Sequence, residues 1–106
     1  RTDRIRVCFT VAENAIAEPG TKTIYVRIAQ PDKEILIKGR GDEYTFEHQG
    51  EVLQYSIKKE FNYENEAIDF CIRWNRRETL AMQPGLYHVD IYESDHNIGH
   101  TTFELK

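Results

Sequence analysis

The end of the chain, residues 84–105, is the stretch that most restricts what this sequence can fold into. Its apolar residues recur at every second position on either side of a polar turn, at Val89, Ile91, Phe103 and Leu105. This alternation is typical of two strands that bury one face, because successive side chains of a strand point to opposite sides. The sequence therefore predicts a β-hairpin, which the chain enters through Pro84-Gly85.

The register of this hairpin follows from the same alternation. Pairing Val89 with Phe103 and Ile91 with Thr101 keeps the apolar side chains on one face, whereas a slip of one residue would turn half of them away. The loop is then Asp95-His96-Asn97. Asn97 is expected in the left-handed conformation that a three-residue hairpin needs.

Upstream segments alternate in the same way and predict further strands, at residues 4–12, 22–30, 34–38, 44–46, 51–61 and 66–75. The long connection at 13–21 predicts a crossing from one sheet to another, and 76–82 is the one segment that suits a short helical turn. The turn Pro31-Asp32-Lys33 suits an aspartate that bonds its own backbone two residues on.

The strand count indicates the fold class. Seven to eight short strands without a convincing helix predict an all-β fold, an immunoglobulin-like antiparallel β-sandwich with Greek-key-like connections. Leu80, Pro84-Gly85 and Tyr87 also resemble the corner before the next-to-last strand of such sandwiches, where an aromatic hydroxyl holds the corner.

Length and charge limit the function classes. The chain has 106 residues, which suits one domain, residues 1–106, with one core. Its formal net charge is −4, which argues against nucleic-acid binding. No apolar run approaches the roughly 20 residues that span a bilayer, so we expect no direct membrane insertion by this domain. Because the chain begins at Arg1, we expect a fragment of a larger protein or a processed product.

Two cysteines, Cys8 and Cys71, allow two interpretations. They are too few and too far apart for a metal site of the Cys-x-x-Cys type. The preferred interpretation is a pair of thiols packed beside β-branched neighbours, because free cysteine behaves as a small apolar residue. The alternative is a disulfide, if the compartment is oxidising.

The four histidines are His48, His88, His96 and His100. In the predicted register only His88 and His100 share a face, opposite Glu104 and Tyr92 respectively, and apart from each other along the hairpin. Zinc needs three or four converging ligands. We therefore expect surface histidines and no metal.

Catalytic constellations are also missing from the sequence. Ser56 and Ser94 have no motif around them, neither cysteine lies near a histidine, and Gly39-x-Gly41 lacks the following helix that would bind phosphate. We expect no catalysis and no cofactor.

Two short motifs have ordinary structural explanations. Arg40-Gly41-Asp42 spells an adhesion tripeptide, but its glycines are explained as turn residues. Arg73, Arg76 and Arg77 surround Trp74, whose place on the apolar phase indicates a core tryptophan beside solvated arginines.

Aromatic residues supply the candidate interaction surface. Tyr25 and Tyr92 lie on outward phases, and exposed aromatics on a sheet often bind sugars or proteins. Tyr44 to Phe46 is the candidate edge strand, which offers unpaired backbone groups to a partner.

Much of the chain resembles the C-terminal domain of a family of uncharacterised Bacteroidetes proteins. The segments that carry the resemblance are Val7–Asn14, Pro19–Ile28, Pro31–Leu36, Tyr55–Lys58, Asp69–Trp74, Pro84–Ile91, Ile98-Gly99 and Phe103–Leu105. Members of that family have an apolar N-terminal anchor or signal, a long coiled coil and then this domain, and some carry labels for chromosome partitioning or segregation. Relatives tend to have Asp-Gly at the last turn, where this chain has Asp95-His96-Asn97.

The resemblance implies an anchored protein of the cell envelope or periplasm, which favours the disulfide between Cys8 and Cys71. Together with the residues above, it leads us to expect a non-catalytic C-terminal interaction domain of a coiled-coil protein. Its partner would be another protein or a second copy of itself. The alternative function is a carbohydrate-binding module that uses Tyr25 and Tyr92.

Overall fold

The computed structural model describes residues 4–13, 18–37, 39–75 and 83–105. Eight strands account for most of these residues: β1 (Arg4–Val11), β2 (Gly20–Ala29), β3 (Thr45–His48), β4 (Glu51–Gln54), β5 (Ile57–Tyr63), β6 (Ile68–Asn75), β7 (Gly85–Glu93) and β8 (His96–Leu105). The expected helical turn at 76–82 lies outside the described residues. Within them, no helix is long and apolar enough to cross a membrane.

The strands form three antiparallel groups. A four-stranded sheet has the order β5-β2-β7-β8, a two-stranded sheet joins β1 to β6, and β3 and β4 form a separate hairpin. The chain passes from one sheet to another between β1 and β2, as the long connection predicted. The prediction of an all-β sandwich is confirmed.

The core lies between the four-stranded sheet and the β1–β6 sheet. The inward residues of β2 and β7 form one buried cluster, made of Ile24, Val26, Ile28, Tyr87, Val89 and Ile91. A second cluster joins Val11, Phe70 and Tyr63 from β1, β6 and β5. Phe9 packs against both clusters, so β1 connects the two halves of the core.

Two predicted strands differ from the structure. Of the strand predicted at 34–38, the described residues 34–37 make only an isolated bridge, between Ile35 and Ala29. The Asp32 turn before it forms as expected, with the Glu34 N–H donating to the Asp32 carboxylate at 2.9 Å. The predicted long strand 51–61 is broken between β4 and β5.

Ser56 is the reason for that break. Its side chain is 0% exposed, and its Oγ accepts the Ile28 N–H at 3.0 Å, while its own N–H donates to the Val26 carbonyl at 2.8 Å. The Ser56 hydroxyl oxygen thus accepts the hydrogen bond from Ile28 that a backbone carbonyl of a neighbouring strand would otherwise accept. The chain can therefore leave the β3–β4 hairpin and begin β5 without an unpaired backbone group.

The final hairpin forms with a register two residues away from the prediction. Phe103 pairs with Tyr87 and Thr101 with Val89, and the loop shrinks to the two residues Ser94 and Asp95. The faces are unchanged, because a shift of two keeps every side chain on its side of the sheet. Stacking of the Tyr87 and Phe103 rings, with centroids 4.9 Å apart, favours the observed pairing.

The turn residues differ accordingly. Ser94, with φ of 56°, occupies the left-handed position that was predicted for Asn97. The register shifts after Ile91, where a β-bulge absorbs the extra residue. Asn97 supports this bulge, because its side chain donates to Asp90 at 3.1 Å and accepts from the Gly99 N–H at 3.0 Å.

The corner that leads into β7 is held by Tyr87, as the sequence predicted. Its hydroxyl donates to the Gln83 carbonyl at 2.7 Å. Gly85 has a φ of 131°, and a Cβ there would lie 2.8 Å from Pro31, so the corner requires glycine. The Gln83 amide also donates to Asp32 at 2.9 Å.

The contacts at this corner shift the pKa values of Asp32 and Tyr87. The Glu34 N–H, followed by the Gln83 amide, lowers the pKa of Asp32 from its usual value. Burial, followed by the charge of Asp32, raises the pKa of Tyr87, and the hydrogen bond to Gln83 opposes this only in part. The phenol of Tyr87 is therefore held in its neutral form.

Tyr87→Phe removes the hydroxyl and leaves the Gln83 carbonyl without its donor. We expect a loss of about 1–2 kcal/mol in the free energy of unfolding at neutral pH, measured by urea denaturation. The pKa of Tyr87 is raised on folding, so its contribution is complete below about pH 10 and is lost as pH rises through the folded value.

Wild type should therefore lose stability more steeply than Tyr87→Phe above about pH 10. Parallel losses in the two proteins would contradict this role of the hydroxyl.

Candidate interaction surfaces

Tyr25 and Tyr92 lie side by side on the outer face of the four-stranded sheet. They form a direct cross-strand pair between β2 and β7, and both are half-buried. The sequence placed each on an outward phase but could not show that they are neighbours. Together they form the centre of an aromatic surface.

The β3–β4 hairpin covers this surface. Phe46 is 7% exposed and stacks on Tyr25, with centroids 4.4 Å apart and planes 3° from parallel. The same ring lies 5.4 Å from Tyr92, and His48 meets Tyr92 edge-on at 4.7 Å. The open aromatic surface expected from Tyr25, Tyr44, Phe46 and Tyr92 is instead a packed layer between the sheet and the hairpin.

Polar contacts hold the hairpin in the same place. Arg27 on β2 donates from Nε to the Gln54 carbonyl at 2.9 Å, and the Gln49 N–H donates to Asp95 at 3.1 Å. The half-buried Tyr44 meets Tyr55 at 6.4 Å. The side chains of Tyr44 and Phe46 thus pack within the molecule.

His88 and His100 are closer than the predicted register placed them. The shift of two residues brings their rings to 5.6 Å, and both residues are exposed. His100 Nδ1 lies 2.8 Å from the Asp90 carboxylate. Over residues 4–13, 18–37, 39–75 and 83–105, no group of three or more histidine, cysteine or acidic side chains is arranged to hold a metal ion.

The outer face of the β1–β6 sheet carries a disulfide between Cys8 and Cys71. The cysteines are a direct cross-strand pair, and both are exposed. Thr10 donates to Asp69 at 2.6 Å on one side, and Arg6 Nη2 lies 3.5 Å from Cys71 Sγ on the other. The preferred expectation of two buried thiols therefore differs from the structure in both bonding and exposure.

The remaining motifs are placed as follows. Arg73 is exposed and pairs directly with Arg6, while Arg76 and Arg77 lie outside the described residues. The backbone of Trp74 pairs with Ile5. In the adhesion-like tripeptide, Arg40 and Asp42 are exposed, and Asp42 begins a single 3₁₀ turn that ends at Tyr44.

The inner face of β8 is only partly covered. On the inner face, Val89 is 0% exposed, but its cross-strand partner Thr101 is exposed, and Phe103 and Leu105 are only half-buried. The four-stranded sheet is faced by a sheet of two strands, so its last strand lacks full cover. Sequence reasoning missed this site, although a threonine on the apolar phase of β8 was a signal.

Phe70 on β6 contacts Phe61 on β5 at 4.7 Å, and Phe9 on β1 packs against the buried cluster of β2 and β7 residues. Among the described residues, β6 is the one strand that pairs with β1, so the other edge of β1 lacks a strand partner in that part of the chain.

Phe46→Ala tests whether the aromatic layer holds the hairpin to the sheet. We expect a loss of about 3 kcal/mol in the free energy of unfolding, because the change removes a buried ring and its stacking on Tyr25. Val52→Ala is the matched control on the same hairpin, since Val52 is 68% exposed, and should cost less than about 0.5 kcal/mol. Equal losses in the two variants would show that the layer carries no particular stability.

Comparison with known proteins gives one match and two negative results. A family model described as "Domain of unknown function (DUF8428)" matches residues 1–106. No curated protein and no solved structure shows significant similarity to the chain.

Proposed function

We propose that this chain, which belongs to the DUF8428 family along its whole length, is a non-catalytic interaction domain. It binds an extended segment of a partner protein, which adds as a strand beside β1 and covers the inner face of β8. The observation that carries the proposal is the exposure of Thr101 on the inner face of β8, directly opposite the fully buried Val89.

A strand in this position would pair with an open sheet edge and would also cover partly exposed side chains of β8. Its backbone would pair with the edge of β1, which in the described residues has a partner on one side only. Its inward side chains would cover Thr101, Phe103 and Leu105. Addition of a strand to an open sheet edge is a common mode of peptide recognition.

The side chains of this region define the partner's chemistry. Every second residue of the added strand must be apolar to meet Phe103 and Leu105. The residues between them would lie on the outer face beside Arg6, which favours acidic and polar side chains. A second copy of β1 would bring another arginine to Arg6, so a different protein is the better partner.

The resemblance to the C-terminal domain of Bacteroidetes coiled-coil proteins extends the proposal to the full-length protein. By that resemblance, this domain would form the C-terminal end of an anchored coiled-coil protein of the cell envelope, and the coiled coil would present the domain to its partner. Deletion of residues 1–106 from the full-length protein should then remove the partner from what co-purifies with it.

A synthetic peptide tests the binding site directly. The probe is a fluorescein-labelled peptide that alternates valine with glutamate and threonine, and a scrambled peptide with contiguous valines is its control. We expect the alternating peptide to bind the chain and Thr101→Arg to weaken that binding about tenfold, because a charge would enter the apolar layer.

Thr102→Arg is the matched control, since Thr102 is also exposed but lies on the opposite face of β8. It should leave the affinity unchanged. Equal weakening by both variants would indicate addition to the edge of β8 instead. Absence of binding by wild type, or a dimer in light scattering that Thr101→Arg disrupts, would also contradict the proposal.

A further inference from the structure

The Cys8–Cys71 disulfide differs from a buried structural crosslink in three respects. Both cysteines are exposed, they lie on the outer face of a sheet of only two strands, and a guanidinium contacts one sulfur. We propose that this disulfide is a thiol-exchange site, at which a small external thiol attacks Cys8 and Cys71 leaves as a thiolate. The inference is independent of the partner strand.

The attacking group has room to approach. A shallow depression of about 350 Å³ borders the disulfide, and it is lined by three successive strand pairs: Cys8–Cys71, Phe9–Phe70 and Thr10–Asp69. Exchange requires a thiolate to approach the sulfur that it attacks, so access limits the rate for buried disulfides. Access is open here because neither cysteine is covered.

The surrounding charges give the exchange a direction. Arg6 Nη2 lies 3.5 Å from Cys71 Sγ, and Arg73 is the direct cross-strand partner of Arg6 on the same face. The Arg6 guanidinium thus lies on the side where the negative charge of a Cys71 thiolate would develop. A stabilised leaving thiolate departs faster, so Cys8 is the favoured point of attack.

The two steps balance in atoms and electrons. In the first, the external thiolate forms a bond to Cys8 Sγ while the Cys8–Cys71 bond breaks and its electron pair goes to Cys71. In the second, another thiolate attacks the external sulfur of this mixed disulfide and releases Cys8. Two external thiols are oxidised to their disulfide, and the protein disulfide is reduced by two electrons.

Reduction of the disulfide would weaken the pairing of β1 with β6. The disulfide is a covalent link between these strands, and Arg6 and Arg73 oppose each other two register positions away, on the same face. Like charges directly opposite on a sheet disfavour pairing. Reduction therefore removes a link from a strand pair that also carries a repulsive contact.

The test uses reduced glutathione on the native chain without denaturant. The reaction is quenched with N-ethylmaleimide and each cysteine is mapped by mass spectrometry. We expect glutathione on Cys8 and N-ethylmaleimide on Cys71 in the first product. Glutathione mainly on Cys71, or no reaction until the chain is unfolded, would overturn the proposal.

Three variants separate the local effect of Arg6 from its contribution to net charge. Arg6→Gln should slow exchange about tenfold, because the leaving thiolate loses its nearest cation. Arg6→Lys should restore most of the rate. Arg40→Gln removes the same charge from an exposed loop residue and should have little effect. Equal rates for Arg6→Gln and Arg40→Gln would contradict the role of Arg6, with circular dichroism confirming that each variant is folded.

Discussion

The pairing of β2 with β7 is the interaction on which the rest of the structure depends. On the inner face, these strands supply Ile24, Val26, Ile28, Tyr87, Val89 and Ile91, which form the main buried cluster. On the outer face, they bring Tyr25 beside Tyr92 and create the surface on which the β3–β4 hairpin rests. Burial on both faces explains why β5 and β8 lie at the edges of this sheet and β2 and β7 at its centre.

The two faces of this sheet have different consequences for function. The outer face is closed by the chain itself, because Phe46 occupies the position that a sugar ring or a partner's side chain would take on Tyr25. The inner face is closed over β2 and β7 by the β1–β6 sheet but remains open at Thr101. An aromatic pair thus stabilises the fold, whereas the surface proposed for partner binding is centred on an ordinary threonine. Composition alone would suggest the reverse.

The β1–β6 sheet gains little stability from its own strand pairing and depends on contacts and links outside that pairing. It has two strands, a covalent link on its exposed face and an unshared edge among the described residues. Strand addition would extend this sheet, and thiol exchange would remove its crosslink. Both inferences concern the same small element because a two-stranded ribbon gains little stability from itself and must obtain it from packing, a crosslink or a third strand.

The sequence by itself determined which residues face inward, because alternation is a local property of each strand. Ile24, Val26, Ile28, Val89 and Ile91 were all assigned correctly, and so was the Tyr87 corner, whose hydrogen bond spans only four residues. Only the tertiary structure decided the two-residue shift of the last hairpin, the break at Ser56 and the cover over Tyr25. Each of these depends on a contact between residues that are far apart in the sequence. Phe103 contacts Tyr87, Ser56 bonds to Ile28, and Phe46 stacks on Tyr25. Period-two alternation is unchanged by a shift of two residues and contains no information about which strands meet.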